Sequence, residues 1–439
     1  MDSVYNRKGF RYIHCIADPT FPSTKYHRAS EVEPYMPRFD YEDSSSHIRF
    51  DKSAMAVTTE KGYRMARANV GVREGKWFWE CKILSGVKSP NREDDSQDSF
   101  GGHVRPGFSR REASLDSPVG FDSYSYGLRD IAGQAVHNSR PINFFPPGES
   151  ICEGDVIGFE IHLPSLSLHK KVVEGTYNKA VDVSDDIELH GSQVHDILRD
   201  RLPIRYRSRV YFELFEYQPT KEMEERLHPP SVHIAPSAAA SQEPNPNHSI
   251  VAFRTLPFSC IKVYKNGKLM GSPFKDLFAF LPLASKPIQQ SGGAGPREGL
   301  DDGMLGYFPS ISCFQGGAAE ANFGPDFWYP PPDMNADEDV DMVCSSDNRS
   351  NNASFKRIRP FCERYNEQIA EDIVCDIIDE VDLWVQDGGD AQKQVGENGD
   401  AVQTHQPTDS TANGLESTAA TTTPHGQAVE LTELVQDEE

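Results

Sequence analysis

The run Pro203-Ile204-Arg205-Tyr206-Arg207-Ser208-Arg209 sets three arginines around one tyrosine just ahead of a strand-like segment. Guanidinium groups interleaved with an aromatic ring suit a phosphate backbone, with solvated loop charges as the plainer alternative. Lys356-Arg357-Ile358-Arg359 offers a short basic patch of the nuclear-import kind. The patterns of hydrolytic and group-transfer chemistry are missing. There is no H-E-x-x-H and no G-x-S-x-G, and His103, His137, His162 and His169 stand singly in strands or loops, with no cysteine in a plausible frame. Gly292 to Gly299 lacks the lysine and the following helix of a phosphate loop and reads as linker. The eight cysteines are scattered without a C-x-x-C pair, several inside apolar runs, which points to reduced, mostly buried thiols rather than a zinc site or a disulfide frame. The expectation is a chain that binds rather than catalyses, with no cofactor, no metal and no small-molecule substrate.

What positions these groups must fit the composition. Hydrophobic residues are 37% of the 439, with Gly 33 and Pro 31, against roughly 45–50% apolar residues in globular domains on a count that includes glycine. Part of the chain must therefore be solvated loop or tail. The net charge of -23 is unevenly placed: Pro332 to Glu439 holds 25 acidic and 6 basic residues, leaving a nearly neutral body. That body gives no global steering toward nucleic acid, so any such contact must be a local patch. No stretch approaches the ~18 consecutive apolar residues of a membrane span, and Met1 to Phe10 lacks the apolar core of a signal peptide. A soluble intracellular chain without membrane contact is expected.

Between Pro-, Gly- and Ser-rich stretches the signal is β. Trp77, Trp79, Cys81 and Ile83 alternate with Glu80 and Lys82, the pattern of a half-buried antiparallel strand. Similar runs lie at Met55 to Thr58, Val156 to Ile161, Arg209 to Phe215, Phe258 to Tyr264 and Ile311 to Phe314. Asn266-Gly267 directly after one of them predicts a two-residue hairpin. Many short strands and almost no helical period before Phe361 predict an all-β, two-sheet antiparallel sandwich. Arg364 to Gln386 breaks the pattern, with Ala370, Val374, Ile377, Val381 and Trp384 on one helical stripe, widened by Ile373 and Ile378, and acidic residues on the other face. A stripe of this kind flanked by low-complexity chain must dock elsewhere, and burial arithmetic predicts that the helix forms only when docked. The reading divides the chain into an N-terminal extension (1–45), a sandwich (46–331) with flexible insertions near 231–250 and 284–302, an acidic linker (332–360), a docking helix (361–386) and a disordered acidic tail (387–439).

The strand order and its punctuation resemble the SPRY domain, a protein-binding β-sandwich. The resemblance is carried by Gly62-Tyr63, by Gly75 through Glu80, by Gly154 through Phe159, by Val263 through Gly267, and by Tyr307 through Ile311 with Asn322-Phe323-Gly324. Glu60-Lys61-Gly62-Tyr63, Val119-Gly120-Phe121-Asp122, Tyr211-Phe212-Glu213, Asn322 through Pro325, Tyr329-Pro330-Pro331 and Glu380-Val381-Asp382 are similar to the SPRY subunit of COMPASS-type histone H3 lysine 4 methyltransferase complexes. That family is called Ash-two in animals and Bre-two in fungi. It implies a nuclear, non-catalytic scaffold that binds an acidic, phosphorylatable segment of the β-propeller subunit and activates the SET-domain catalytic subunit. It implies an acidic or phosphopeptide surface of Tyr63, Arg105, Pro118 and Arg129, with Arg105 as an edge-strand guanidinium whose plainer alternative is pairing with Asp98 or Glu112. It further implies that Ile373, Val374, Ile377, Val381 and Trp384 dock into a Dpy-thirty-type dimer, and it makes Arg205, Arg207 and Arg209 candidates for contact with nucleosomal DNA. Autonomous DNA binding is not expected. The runner-up is a SPRY adaptor for ubiquitin ligation or another assembly.

Overall fold

The computed structural model describes residues 10–17, 27–88, 102–182, 197, 199, 201–206, 208–227, 242–287, 301–334, 357–397 and 432–433, with side chains in the last helix described to Asp379 and at Val381. The expected antiparallel sandwich is present. One sheet runs β11 (Arg140–Ile142), β10 (Ala135–His137), β9 (Ser125–Leu128), β8 (His103–Ser109), β19 (Phe308–Phe314), β6 (Arg64–Ala68), β3 (Phe39–Ser44). The facing sheet runs β17 (Lys268–Lys275), β16 (Cys260–Lys265), β12 (Val156–Leu163), β7 (Gly75–Ser85), β20 (Ala318–Asn322), β5 (Ala56–Thr58), β4 (Arg49–Phe50). Trp77, Trp79, Cys81 and Ile83 of β7 lie in the core between them, and Trp79 stacks on Phe159 at 5.4 Å and Phe323 at 6.0 Å. Asn266 (φ 48) and Gly267 (φ 80) make the β16–β17 turn, a pair of positive φ angles that the Asn-Gly dipeptide tolerates.

Four expectations are corrected. Strand β7 is covered on both faces, because Phe78 and Glu80 on its outer side are buried. Glu80 accepts from the backbone of Trp328 and Tyr329, both at 2.7 Å, so the apparent solvent face carries a satisfied buried carboxylate. The sandwich starts before residue 46: β3 is an edge strand of the first sheet, fixed by the buried Asp43 between Arg67 and Arg111. Farther upstream, β1 (Phe10–Ala17) pairs with β14 (Arg209–Phe215) in a smaller sheet with β2 (His27–Ala29), β13 (Leu202–Tyr206) and β22 (Thr432–Glu433). Helices also occur before residue 361. Helix α1 (Leu166–Glu174) is capped by Ser165 and ended by Gly175 at φ 80, and α2 (Lys221–Leu227) follows β14. His169 lies on α1 rather than a strand or loop, buried, its Nε2 accepting from the Phe280 and Leu281 amides. Short amphipathic turns between strands leave too few periods for a sequence pattern to reveal.

The expected insertions and linker pack at their described ends. His248 and Phe253 are buried, and Ser285 bonds Arg110 and Glu112. β21 (Ile358–Pro360) pairs parallel with the start of β7 and leads into α3 (Phe361–Glu397), which extends past the expected end at 386.

Candidate partner-binding surfaces

Arg105 projects from the outer face of the first sheet, because its neighbours Val104 and Phe108 fill the core. Its strand β8 is central, between β9 and β19, and not an edge. The Arg105 guanidinium lies 5.0 Å from the centre of the Tyr63 ring, and Tyr63 packs on Phe314 at 4.9 Å. Beneath them Asp130 is buried and already bonded, accepting from His103 Nδ1 at 2.9 Å and from the Val104 and Ile131 amides. Arg129 donates to Gln134 Oε1 at 3.2 Å. Pro118 opens a turn held by its carbonyl to Phe121 and by the Val119 amide on Ser312 Oγ at 3.0 Å, whose hydroxyl donates to the Arg105 carbonyl. Gly127 lets this turn approach, since a side chain there would overlap the Val119 carbonyl and meet Arg105 Cδ at 3.3 Å.

The four expected residues thus gather around one surface. Among the described residues no carboxylate lies within ion-pair distance of Arg105 or Arg129, and Arg105 Nε is buried without an acceptor. The alternative partner Glu112 is occupied by Arg110 in a buried pair, and Asp98 lies outside the described residues. Burial lowers the Arg105 pKa, opposed by the charge and hydrogen bond of the Tyr63 phenol, and burial likewise raises that of Tyr63. A guanidinium already stripped of part of its water pays less to bind an incoming carboxylate or phosphate.

The second surface is on α3. Its start is anchored: Phe361 sits in the sandwich core against Trp77 and Phe108, and Tyr365 is buried below it. Burying one such ring stabilises by roughly 1.5–3 kcal/mol. Arg364 adds a bond to the Gly71 carbonyl and a two-pronged pair with Glu371. The stripe of Phe361, Tyr365 and Ile369 continues along the same side as Asp372, Asp376 and Asp379, and there the docking turns ionic. Arg199 Nη2 meets Asp376 and Asp379, each at 2.7 Å, and Arg201 lies 3.8 Å from Asp372. Ile373, Val374, Ile377 and Val381 occupy the opposite side, between 45% and 54% exposed. The burial arithmetic left out two sets of contacts that hold this helix against the rest of the chain: its first turns borrow the sandwich core, and its acidic face meets two buried arginines. Trp384 lies outside the residues whose side chains are described. Sequence reasoning missed Arg199 and Arg201 because they lie in a stretch with no strand or helix period, and only the acidic face of the helix hinted at a basic partner.

The basic run is split. In the β13–β14 hairpin Arg205 opposes Val210 while Tyr206 opposes Arg209, so Arg205 and Arg209 point to opposite faces. Arg207 lies outside the described residues. Of the other basic patch, Ile358 is buried, and Arg357 and Arg359 both pair with Glu363.

No family model matches the chain. The COMPASS component cclA of Colletotrichum higginsianum is 53% identical over 395 residues, which are 88% of this chain and 69% of that protein. The cclA of Aspergillus fumigatus is 43% identical over 89% of this chain and 60% of its own length. The Set1 complex component ash2 of Schizosaccharomyces pombe is 40% identical over 86% of this chain and 46% of its own length. The chain thus spans about half to two thirds of these curated relatives. Among solved structures, the SPRY domain of human HERC1 overlaps 64% of this chain and 96% of its own at a TM-score of 0.30 and 13% identity, too slight to add to the fold described above. Identity above one half across most of the chain is decisive: it belongs to the family of fungal COMPASS components that includes cclA and ash2.

Proposed function

We propose that the chain is a non-catalytic scaffold subunit of a nuclear COMPASS-type histone H3 lysine 4 methyltransferase complex. The observation that carries this reading is the outward apolar row of Ile373, Val374, Ile377 and Val381 on a helix whose acidic side is already occupied. An exposed row at this spacing is an anchor set for a hydrophobic groove, and a Dpy-thirty-type dimer is its proposed occupant. The Tyr63–Arg105–Arg129 surface is the proposed seat of an acidic, phosphorylatable segment of the β-propeller subunit. With both partners held on one rigid sandwich, the SET-domain subunit gains an ordered platform. Reconstitution tests the reading: the chain alone should transfer no methyl group to histone H3, and adding it to the other subunits should raise their activity. Equal activity of the assembly with and without the chain overturns it.

A further inference from the structure

The outer face of the second sheet carries a group that the scaffold role does not use. Cys260 of β16 stands directly opposite His162 of β12 in the strand register. Two residues along each strand, Glu160 opposes Lys262. The His162 imidazole meets Glu160 through Nε2 and also hydrogen-bonds the Cys260 thiol. Glu160 is buried and further held by Lys262 Nζ at 2.8 Å and by the Tyr264 hydroxyl. Lys76 opposes His162 from β7, Lys275 opposes Cys260 from β17, and the Ser272 hydroxyl also reaches the thiol. Thiol, imidazole and carboxylate are thus in series, ringed by three lysines. Among the described residues they do not converge on a metal position.

We propose that Cys260 is a modification site for peroxide-class oxidants, activated by the His162–Glu160 pair. The Cys260 thiolate attacks one peroxide oxygen, forming an S–O bond as the O–O bond breaks. The departing hydroxide takes a proton from the His162 imidazolium and leaves as water. Sulfur is oxidised by two electrons to a sulfenic acid and the peroxide is reduced. The electrostatics agree in direction. Burial works against the thiolate, yet the bond and charge of His162 bring the Cys260 pKa below the ordinary thiol value. Burial also opposes ionisation of Glu160, but His162, Lys262 and Tyr264 hold its carboxyl down to about 2, keeping it a counter-charge for the imidazolium. Cys152 is the natural reference, being half-buried like Cys260 but with its pKa pushed up by burial and Asp155.

The test uses the whole chain. Alkylation by iodoacetamide is followed peptide by peptide across the pH range, and sulfenic acid formed by a stoichiometric pulse of hydrogen peroxide is trapped with dimedone. Cys260 should alkylate roughly ten-fold faster than Cys152 at neutral pH and collect dimedone first. His162→Gln should bring its rate to that of Cys152. Cys260 reacting no faster than Cys152, or keeping its rate in His162→Gln, overturns the proposal. The fully buried Cys81 and Cys313 report unfolding, and if they label in the variant, the wild-type comparison of Cys260 with Cys152 decides alone.

Discussion

The two contact surfaces are built on opposite terms. At Arg105 the charge faces outward beside the Tyr63 ring, over a buried carboxylate that is already bonded, on a central strand that hydrogen bonds hold along both edges. On α3 the apolar row faces outward and the charges lie beneath, gripped by Arg199 and Arg201. A rigid strand presents a partly desolvated guanidinium, which suits a small anionic group of fixed geometry. A helix held by ion pairs presents a row of aliphatic side chains, which suits a broad groove. The difference implies that the surfaces fail differently: the first by loss of a few directional bonds, the second by insertion of a charge or by release of its clasp.

The largest effect is expected from Val374→Glu or Ile377→Glu. Each buries an unpaired carboxylate in the groove at a cost of several kcal/mol, so co-elution of the Dpy-thirty-type dimer should vanish while the melting temperature stays put, since both positions are exposed in the free chain. Retained co-elution would remove the helix from the comparison. Next comes the sheet face that serves neither surface. The Glu160 carboxyl, pushed up by burial but held at about 2 in the fold by His162, Lys262 and Tyr264, contributes stability that is complete above the unfolded value near 4.5 and is lost as pH falls toward 2. Glu160→Gln should therefore flatten the acid limb of stability by roughly 3 kcal/mol and leave both partner affinities unchanged. An altered affinity for either partner would mean that the surfaces are coupled through the core.

Arg105→Ala should weaken an acidic or phosphorylated peptide by about 1.5–3 kcal/mol in calorimetry, with folding intact. Full affinity in the variant would show that Arg129 and Tyr63 suffice or that the anion binds elsewhere. Arg199→Ala with Arg201→Ala should cost about 1 kcal/mol of local order, because Asp372 and Asp379 are partly exposed and their pairs screened. Hydrogen exchange should then quicken around Asp372 to Asp379 while the turns at Phe361 and Tyr365 stay protected; uniform exchange along the helix would show that the core anchor alone sets its order. The smallest effect belongs to the divided hairpin. Neutralising Arg205 and Arg209 should lower activity on nucleosomes a few-fold at low salt, leave activity on free histone peptide unchanged, and give a defect that shrinks as salt rises.

The chain itself was enough to determine what depends on local period. Trp77 to Ile83 alternate because a strand repeats every two residues, Asn266-Gly267 turns because both positions tolerate positive φ, and the stripe from Ala370 to Trp384 follows the helical repeat. The gathering of Tyr63, Arg105, Pro118 and Arg129 was legible only through family resemblance, and their geometry only from the sheet. Three matters were decided by tertiary structure alone. Which side of α3 docks depends on Phe361 reaching the core and on Arg199 and Arg201 arriving from a distant part of the chain. Whether Arg205 and Arg209 share a face depends on hairpin register, where a one-residue shift reverses every side chain. The pairing of Cys260 with His162 likewise exists only across two strands far apart in the sequence, because register is set by the sum of contacts along both strands and not by the residues that chance to meet.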